Sequence, residues 1–179
     1  MAKRLASMGE KLAVATLRDT YGNTAATGYT INWFSHCTSV ACDAYLASPF
    51  FTTEEPIELL TKRGCTVYLL VRLCSTTTPA ALRKVLKNPL VRVRYYTDRG
   101  FHAKLYIVGS VALVGSANLT DAGLKTNREV SVVLRKDEDS GFGDLVSLYD
   151  MFWSSAETLT LDILAQYEQA FRLIGLPKE

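Results

Sequence analysis

His102-Ala103-Lys104-Leu105-Tyr106-Ile107-Val108-Gly109-Ser110-Val111-Ala112-Leu113-Val114-Gly115-Ser116-Ala117-Asn118 reads as two apolar strands folded back on one another. The strands are expected over 101–108 and 111–114. Gly109-Ser110, with glycine first, suits a type II′ turn between them. Residues i and i+2 of a strand share a face, so His102 and Lys104 are expected to project together. The return of the hairpin should then deliver Ser116 and Asn118 beside them. Downstream, Asn127-Arg128-Glu129 heads a further apolar strand over 129–134 and adds a carboxylate. An imidazole, a cation, two neutral hydrogen-bonding groups and an acid are thus expected to converge.

Upstream the pattern alternates between the two periodicities. A short buried strand over 44–48 is stopped by Pro49. Thr53 is placed to cap a helix over 54–63, with Glu54 and Glu55 in its first turn and Gly64 closing it. Residues 65–71 form a strongly apolar strand, Pro79 opens a helix running to about Asn88, and 91–96 alternates as a half-buried strand should. The order β-α-β-α-β points to an α/β sheet with parallel pairings. An N-terminal helix is expected over 3–19, with Leu5, Met8, Leu12 and Ala15 on one stripe, and 21–30 reads as loop. The C-terminal region 142–174 reads as helical, with Leu161, Leu164, Tyr167, Phe171 and Ile174 facing a core. With 179 residues and no linker or repeat, 1–179 is expected to be one domain, its motif segment spanning 101–134.

At 48% hydrophobic and 21% charged residues the composition is that of an ordinary globular chain. No stretch approaches the ~18 consecutive apolar residues of a membrane span. The N-terminus meets Glu10 and Lys11 before any apolar run forms, so no secretory signal is read and a cytoplasmic protein is expected. Cys37, Cys42, Cys65 and Cys74 show no CxxC spacing and read as free thiols of a reducing compartment. A zinc site of His36, Cys37 and Cys42 is the disfavoured alternative, since neither knuckle spacing is present. Ten of the 20 basic residues lie between Lys62 and Lys104, where Asp98 is the only acid. That run is either a solvated face or a field for an anionic substrate, with Arg72, Arg92 and Arg94 as candidate nucleic-acid contacts.

The set His102-x-Lys104, Gly115-Ser116-x-Asn118 and Asn127-x-Glu129 resembles the HKD motif of the phospholipase D superfamily, in its single-motif nuclease branch. The resemblance implies an α/β/α layered mixed sheet and a metal-independent phosphodiesterase that needs no cofactor. It implies that His102 is the nucleophile, that Lys104, Ser116 and Asn118 hold phosphoryl oxygens, and that Glu129 accepts a hydrogen bond from His102. The family's aspartate shortly after the lysine is missing, its place being taken by Gly109. That departure, and a single motif where the phospholipases carry two, tilt the resemblance toward nucleases such as metal-independent restriction endonucleases. One motif per chain implies a homodimer with a shared site acting on nucleic acid, DNA first, with no membrane partner. A separate specificity or helicase subunit would supply any sequence reading. A phospholipid phosphodiesterase and a non-catalytic nucleic-acid-binding or dimerisation module stand as alternatives.

Overall fold

The computed structural model describes residues 17–174. The expected helix over 3–19 lies almost wholly outside them, and 17–19 is irregular backbone leading into a strand. The elements in chain order are β1 (Thr20–Tyr21), α1 (Thr30–His36), β2 (Asp43–Ala47), α2 (Glu55–Thr61), β3 (Thr66–Arg72), α3 (Pro79–Leu86) and β4 (Val91–Tyr96). The chain continues through β5 (Leu105–Val108), β6 (Val111–Gly115), a π-helical turn (Ala122–Thr126), β7 (Ser131–Arg135), α4 (Phe142–Ser155), β8 (Glu157–Thr158) and α5 (Leu161–Ile174).

All eight strands join one mixed sheet in the order β1-β7-β6-β5-β2-β3-β4-β8. β2, β3 and β4 are parallel neighbours, as the β-α-β-α-β pattern requires, and every other pairing is antiparallel. Trp33 and Phe34 of α1, Ile57 and Leu60 of α2, Leu82 of α3 and Leu164 of α5 bury against one face of the sheet. Phe142 and Tyr149 of α4 bury against the other, over Ala47, Leu70, Leu105 and Ile107. Helices therefore cover both faces, which is the expected α/β/α layering.

The register decides where chemistry can gather. Ala47, the last residue of β2, pairs with Leu105, the first of β5. Leu105 pairs with Val114, and Gly115 at the end of β6 pairs with Ser131 at the start of β7. One edge thus collects the carboxyl ends of β2, β3 and β6 with the amino ends of β5 and β7. Crevices for ligands form at such strand ends in open α/β sheets.

Several expected boundaries move, each for a local reason. The strand expected over 101–108 begins only at Leu105, because its partner β2 stops at Ala47 before Ser48-Pro49. Glu129 precedes β7 instead of opening it. α2 starts at Glu55 with Pro56 in its first turn, so Thr53 does not cap it. The helix expected over 142–174 breaks at Ala156, where Glu157 and Thr158 pair with Tyr95 and Arg94. The Tyr95 hydroxyl donates to Glu157 Oε2 at 2.8 Å across that pairing. Leu161, expected in the core, is 63% exposed at the start of α5, and the side chain of Ile174 lies outside the described residues. α1 falls within a stretch that carries no clear helical periodicity in the sequence.

Candidate active site

Residues 101–104 lie outside β5, and of them only the Lys104 carbonyl meets the main chain of a neighbouring strand, accepting from Gly115 N at 3.5 Å, so the shared-face argument does not hold His102 beside Lys104. A direct contact does so. Lys104 Nζ lies 2.9 Å from His102 Nδ1 and 3.0 Å from the His102 carbonyl oxygen. An ammonium has only protons to give, so Nδ1 accepts and the neutral ring carries its proton on Nε2. Lys104 and the guanidinium of Arg72, together with partial burial, hold His102 below the usual imidazole range; Lys104 is the largest influence. Burial, aided by Arg72 and opposed by Glu129, lowers Lys104.

The hairpin turn behaves as its sequence suggests. Gly109 has φ +56°, while Ser110 is not among the described residues with positive φ, the pattern of a II′ turn and not of I′. Returning on β6, the chain reaches Ser116, whose amide donates to Val130 O at 2.9 Å. Ser116 Oγ accepts from Val130 N at 3.0 Å and donates to the Glu129 carboxylate. Asn127 Nδ2 approaches the other Glu129 oxygen at 3.3 Å. Glu129 is thus held by Ser116 and Asn127, and the expected hydrogen bond from His102 is not formed. Asn118 Oδ1 is buried without a partner. Such atoms are few in native structures, and a catalytic role is one reason a protein keeps one.

Residues far away in sequence build the walls of this rim. Tyr106, fully buried on β5, donates to Ala117 O at 2.6 Å and so fixes the backbone between Ser116 and Asn118. Ser48 Oγ accepts from Leu119 N at 3.1 Å and donates to Phe50 O at 2.8 Å. Asn23 Nδ2 donates to Gly123 O at 2.7 Å and Asn127 O at 3.0 Å, pinning both ends of the π-helical turn. Asn23 has φ +52°, a left-handed conformation that asparagine tolerates. Single π turns occur often at functional sites. None of Asn23, Ser48 or Phe50 stands out in the sequence. The only hint was composition, since 21–30 is rich in Gly, Thr and Asn.

The basic run between Lys62 and Lys104 separates in space. Lys62 pairs with Glu58, Arg83 with Glu168 and Lys84 with Glu54. Arg63 donates to the carbonyls of Phe34, Ser35 and Leu59. Arg94 stacks on Trp153 at 4.9 Å and donates to its carbonyl at 2.6 Å, while Arg92 donates to Pro89 O at 2.6 Å. The β4 register sets Arg92 four residues back from the level of Arg72, about 13 Å. Of the three arginines singled out, Arg72 alone reaches the rim. Cys42 Sγ and Cys65 Sγ lie 3.8 Å apart as free thiols, and His36 is turned to Asn32 O at 2.7 Å. Among the described residues no group of three or more His, Cys, Asp or Glu side chains could hold a metal ion.

An imidazole with an ammonium, a hydroxyl and a carboxylate on the open end of a mixed α/β/α sheet is the equipment of a phosphodiesterase. Residues 41–147 match the family described as "Cardiolipin synthase, PLD-like domain", and the chain belongs to this phospholipase D-like family of phosphodiesterases. Its fold is similar to that of Nuc from Salmonella typhimurium, a phospholipase D family member, at 19% identity and TM-score 0.59 over 73% of this chain and 88% of that one. NucT from Helicobacter pylori is similar at 17% identity and TM-score 0.59, with the same 73% and 88% coverage. The phosphatidylserine synthase of Haemophilus influenzae Rd KW20 is similar at 13% identity and TM-score 0.55, over 76% of this chain and 40% of that one. At these identities the likeness is one of fold. No curated protein matches the chain significantly in sequence. No described helix is long and apolar enough to cross a membrane.

Proposed function

We propose that this chain is a metal-independent nuclease that cleaves nucleic-acid phosphodiesters through a phosphohistidine on His102, in a site shared by two copies. The convergence of His102, Lys104, Ser116 and Glu129 at one rim carries the proposal. Binding of a phosphodiester draws Lys104 Nζ from the ring to a phosphoryl oxygen, joined by Asn118 and Ser116. Freed of that donor, Nδ1 takes the ring proton and passes its hydrogen bond to Glu129. The Nε2 lone pair then attacks phosphorus, and the leaving oxygen departs with a proton from the second copy's histidine, which enters the step as the imidazolium and leaves it neutral. Water attacks next, gives its proton back to that second imidazole, and the P–N bond breaks.

Three features support a second copy and a polyanionic substrate. One chain supplies one imidazole, whereas the reaction uses a nucleophile and an acid on opposite sides of phosphorus. Beside Glu129, Val130 is 65% and Val132 44% exposed, an apolar strip that a second copy would cover. Arg72 and Lys104 make the rim cationic, a field that draws in a polyanion whether or not each touches it. One observation keeps a lipid phosphodiester in view, namely the family description as cardiolipin synthase.

Labelled single- and double-stranded DNA, RNA and phosphatidylcholine, each incubated with the protein in excess EDTA, test the proposal. Nucleic acid should be cleaved. Hydrolysis of phosphatidylcholine alone would assign the lipid reading. Nuclease activity that appears only on adding magnesium would exclude the histidine mechanism, and no turnover at all would leave a binding module.

A further inference from the structure

Arg72 ends β3 where the sheet opens onto the rim, and its bonds point at His102 from two sides. Its main-chain amide donates to Pro49 O at 3.2 Å, in the loop that carries Phe50. Its guanidinium lies 5.1 Å from the Phe50 ring centre, and that ring meets the His102 imidazole edge-on at 5.9 Å and 90°. Nη1 donates to Arg99 O at 3.1 Å and reaches toward Phe101 O at 3.5 Å, so it holds the turn immediately before His102. No acidic side chain pairs with Arg72 among the described residues. With no carboxylate to engage it, the Arg72 guanidinium spends its hydrogen bonds on the main chain of residues 99–101, within the electrostatic reach of Lys104.

We infer that Arg72 is a positioning residue for His102, fixing the imidazole through the 99–101 turn and the Phe50 ring, and is not a ligand of the substrate backbone. This rests on the reading of His102 as nucleophile. The charged groups facing the imidazole are Lys104 from its own segment and Arg72 from β3; Glu129 acts on Lys104, and the Cys74 thiol lies beside Arg72. Both cations disfavour imidazolium. Removing the Arg72 charge must therefore raise the His102 titration toward the free-histidine value, and the neutral nucleophile then persists over a narrower range on the acid side.

The test uses Arg72→Gln and Arg72→Lys in the full chain, with folding followed by circular dichroism. The chain contains two histidines, so the titration of His102 by NMR is separable from that of His36. In Arg72→Gln the His102 titration should move up, the acid limb of kcat/KM should move with it, and kcat should fall roughly tenfold through misplacement of the ring. Arg72→Lys should keep the low titration yet lose rate, because one ammonium cannot grip the turn and cover Phe50 as a planar guanidinium does. A rise in KM and a shallower salt dependence with kcat and titration unchanged would overturn the inference and make Arg72 a phosphate ligand. Unmoved His102 ring-proton shifts in folded Arg72→Gln, meaning that the imidazole keeps its place against Phe50, overturn it as well. Should the wild-type chain prove inactive, the nuclease proposal fails, while the NMR shifts of the His102 ring protons, which the edge-on Phe50 ring sets, still report whether Arg72→Gln frees the imidazole.

Discussion

Ser116 uses its one hydroxyl twice, accepting from the Val130 amide and donating to Glu129. Glu129 is tied to the hydroxyl and the Asn127 amide, and it reaches the imidazole only after both partners rearrange. Two roles for Glu129 follow, one exercised through Ser116 and one directly on His102. They separate in a double-mutant cycle. If Glu129 acts through Ser116, Ser116→Ala and Glu129→Gln should each lower kcat about tenfold, about 1.4 kcal/mol, and the double variant should be no slower than the worse single one. Additive losses, with the double variant about a hundredfold down, would assign Glu129 directly to His102.

At the scale of elements, β6 and β7 meet at the rim with no room for a side chain on Gly115. A methyl group there would collide with Val130 O and Ser131 Oγ and lie 2.6 Å from Ser131 Cα. Backbone cannot yield as a flexible side chain can, so the strands would have to part where Ser116 and Glu129 are presented. Gly115→Ala should therefore cost about 1–3 kcal/mol in denaturant unfolding, the usual range for overpacking, and activity should fall further than stability alone explains. A variant as stable and as active as the wild type would show that β6 and β7 separate freely at this end. The broken C-terminal helix makes a related point. Ser155 turns its hydroxyl back to the Met151 and Phe152 carbonyls, and Thr158 and Thr160 follow, residue types that compete with helix and favour extended backbone. The edge of β4 offered them a ladder.

For the whole molecule the decisive question is whether two copies share one site. The His102→Ala protein should fold, because His102 is exposed and the sheet packs through its apolar neighbours. Mixed with wild type under exchange, it should give heterodimers holding one imidazole. If the site is shared, those heterodimers should be nearly inactive and total activity should fall as the square of the wild-type fraction. A linear fall, or a fully active monomer in sedimentation at assay concentration, would falsify the shared site.

The sequence by itself determined the family, the order of the central elements and the residues proposed to react. His102, Lys104, Ser116, Asn118 and Glu129 lie within one short segment, where strand spacing and a glycine-first turn limit how the chain can return. The β-α-β-α-β run was equally legible, since periods of two and of 3.6 residues leave their mark on any chain that buries one face. Only the tertiary structure decided which basic residues lie at the rim. Charge counted along the chain says nothing about partners such as Glu168 or Trp153, distant in sequence, which engage Arg83 and Arg94 and leave Arg72 at the rim. It also placed Lys104 against the imidazole and Glu129 against Ser116, because those contacts depend on where β2 ends at Ser48-Pro49 and frees residues 101–104 from the ladder. Asn23, Ser48 and Phe50 became visible for the same reason. Each acts on residues between 52 and 104 positions away, a distance over which the pattern of a sequence carries no geometry.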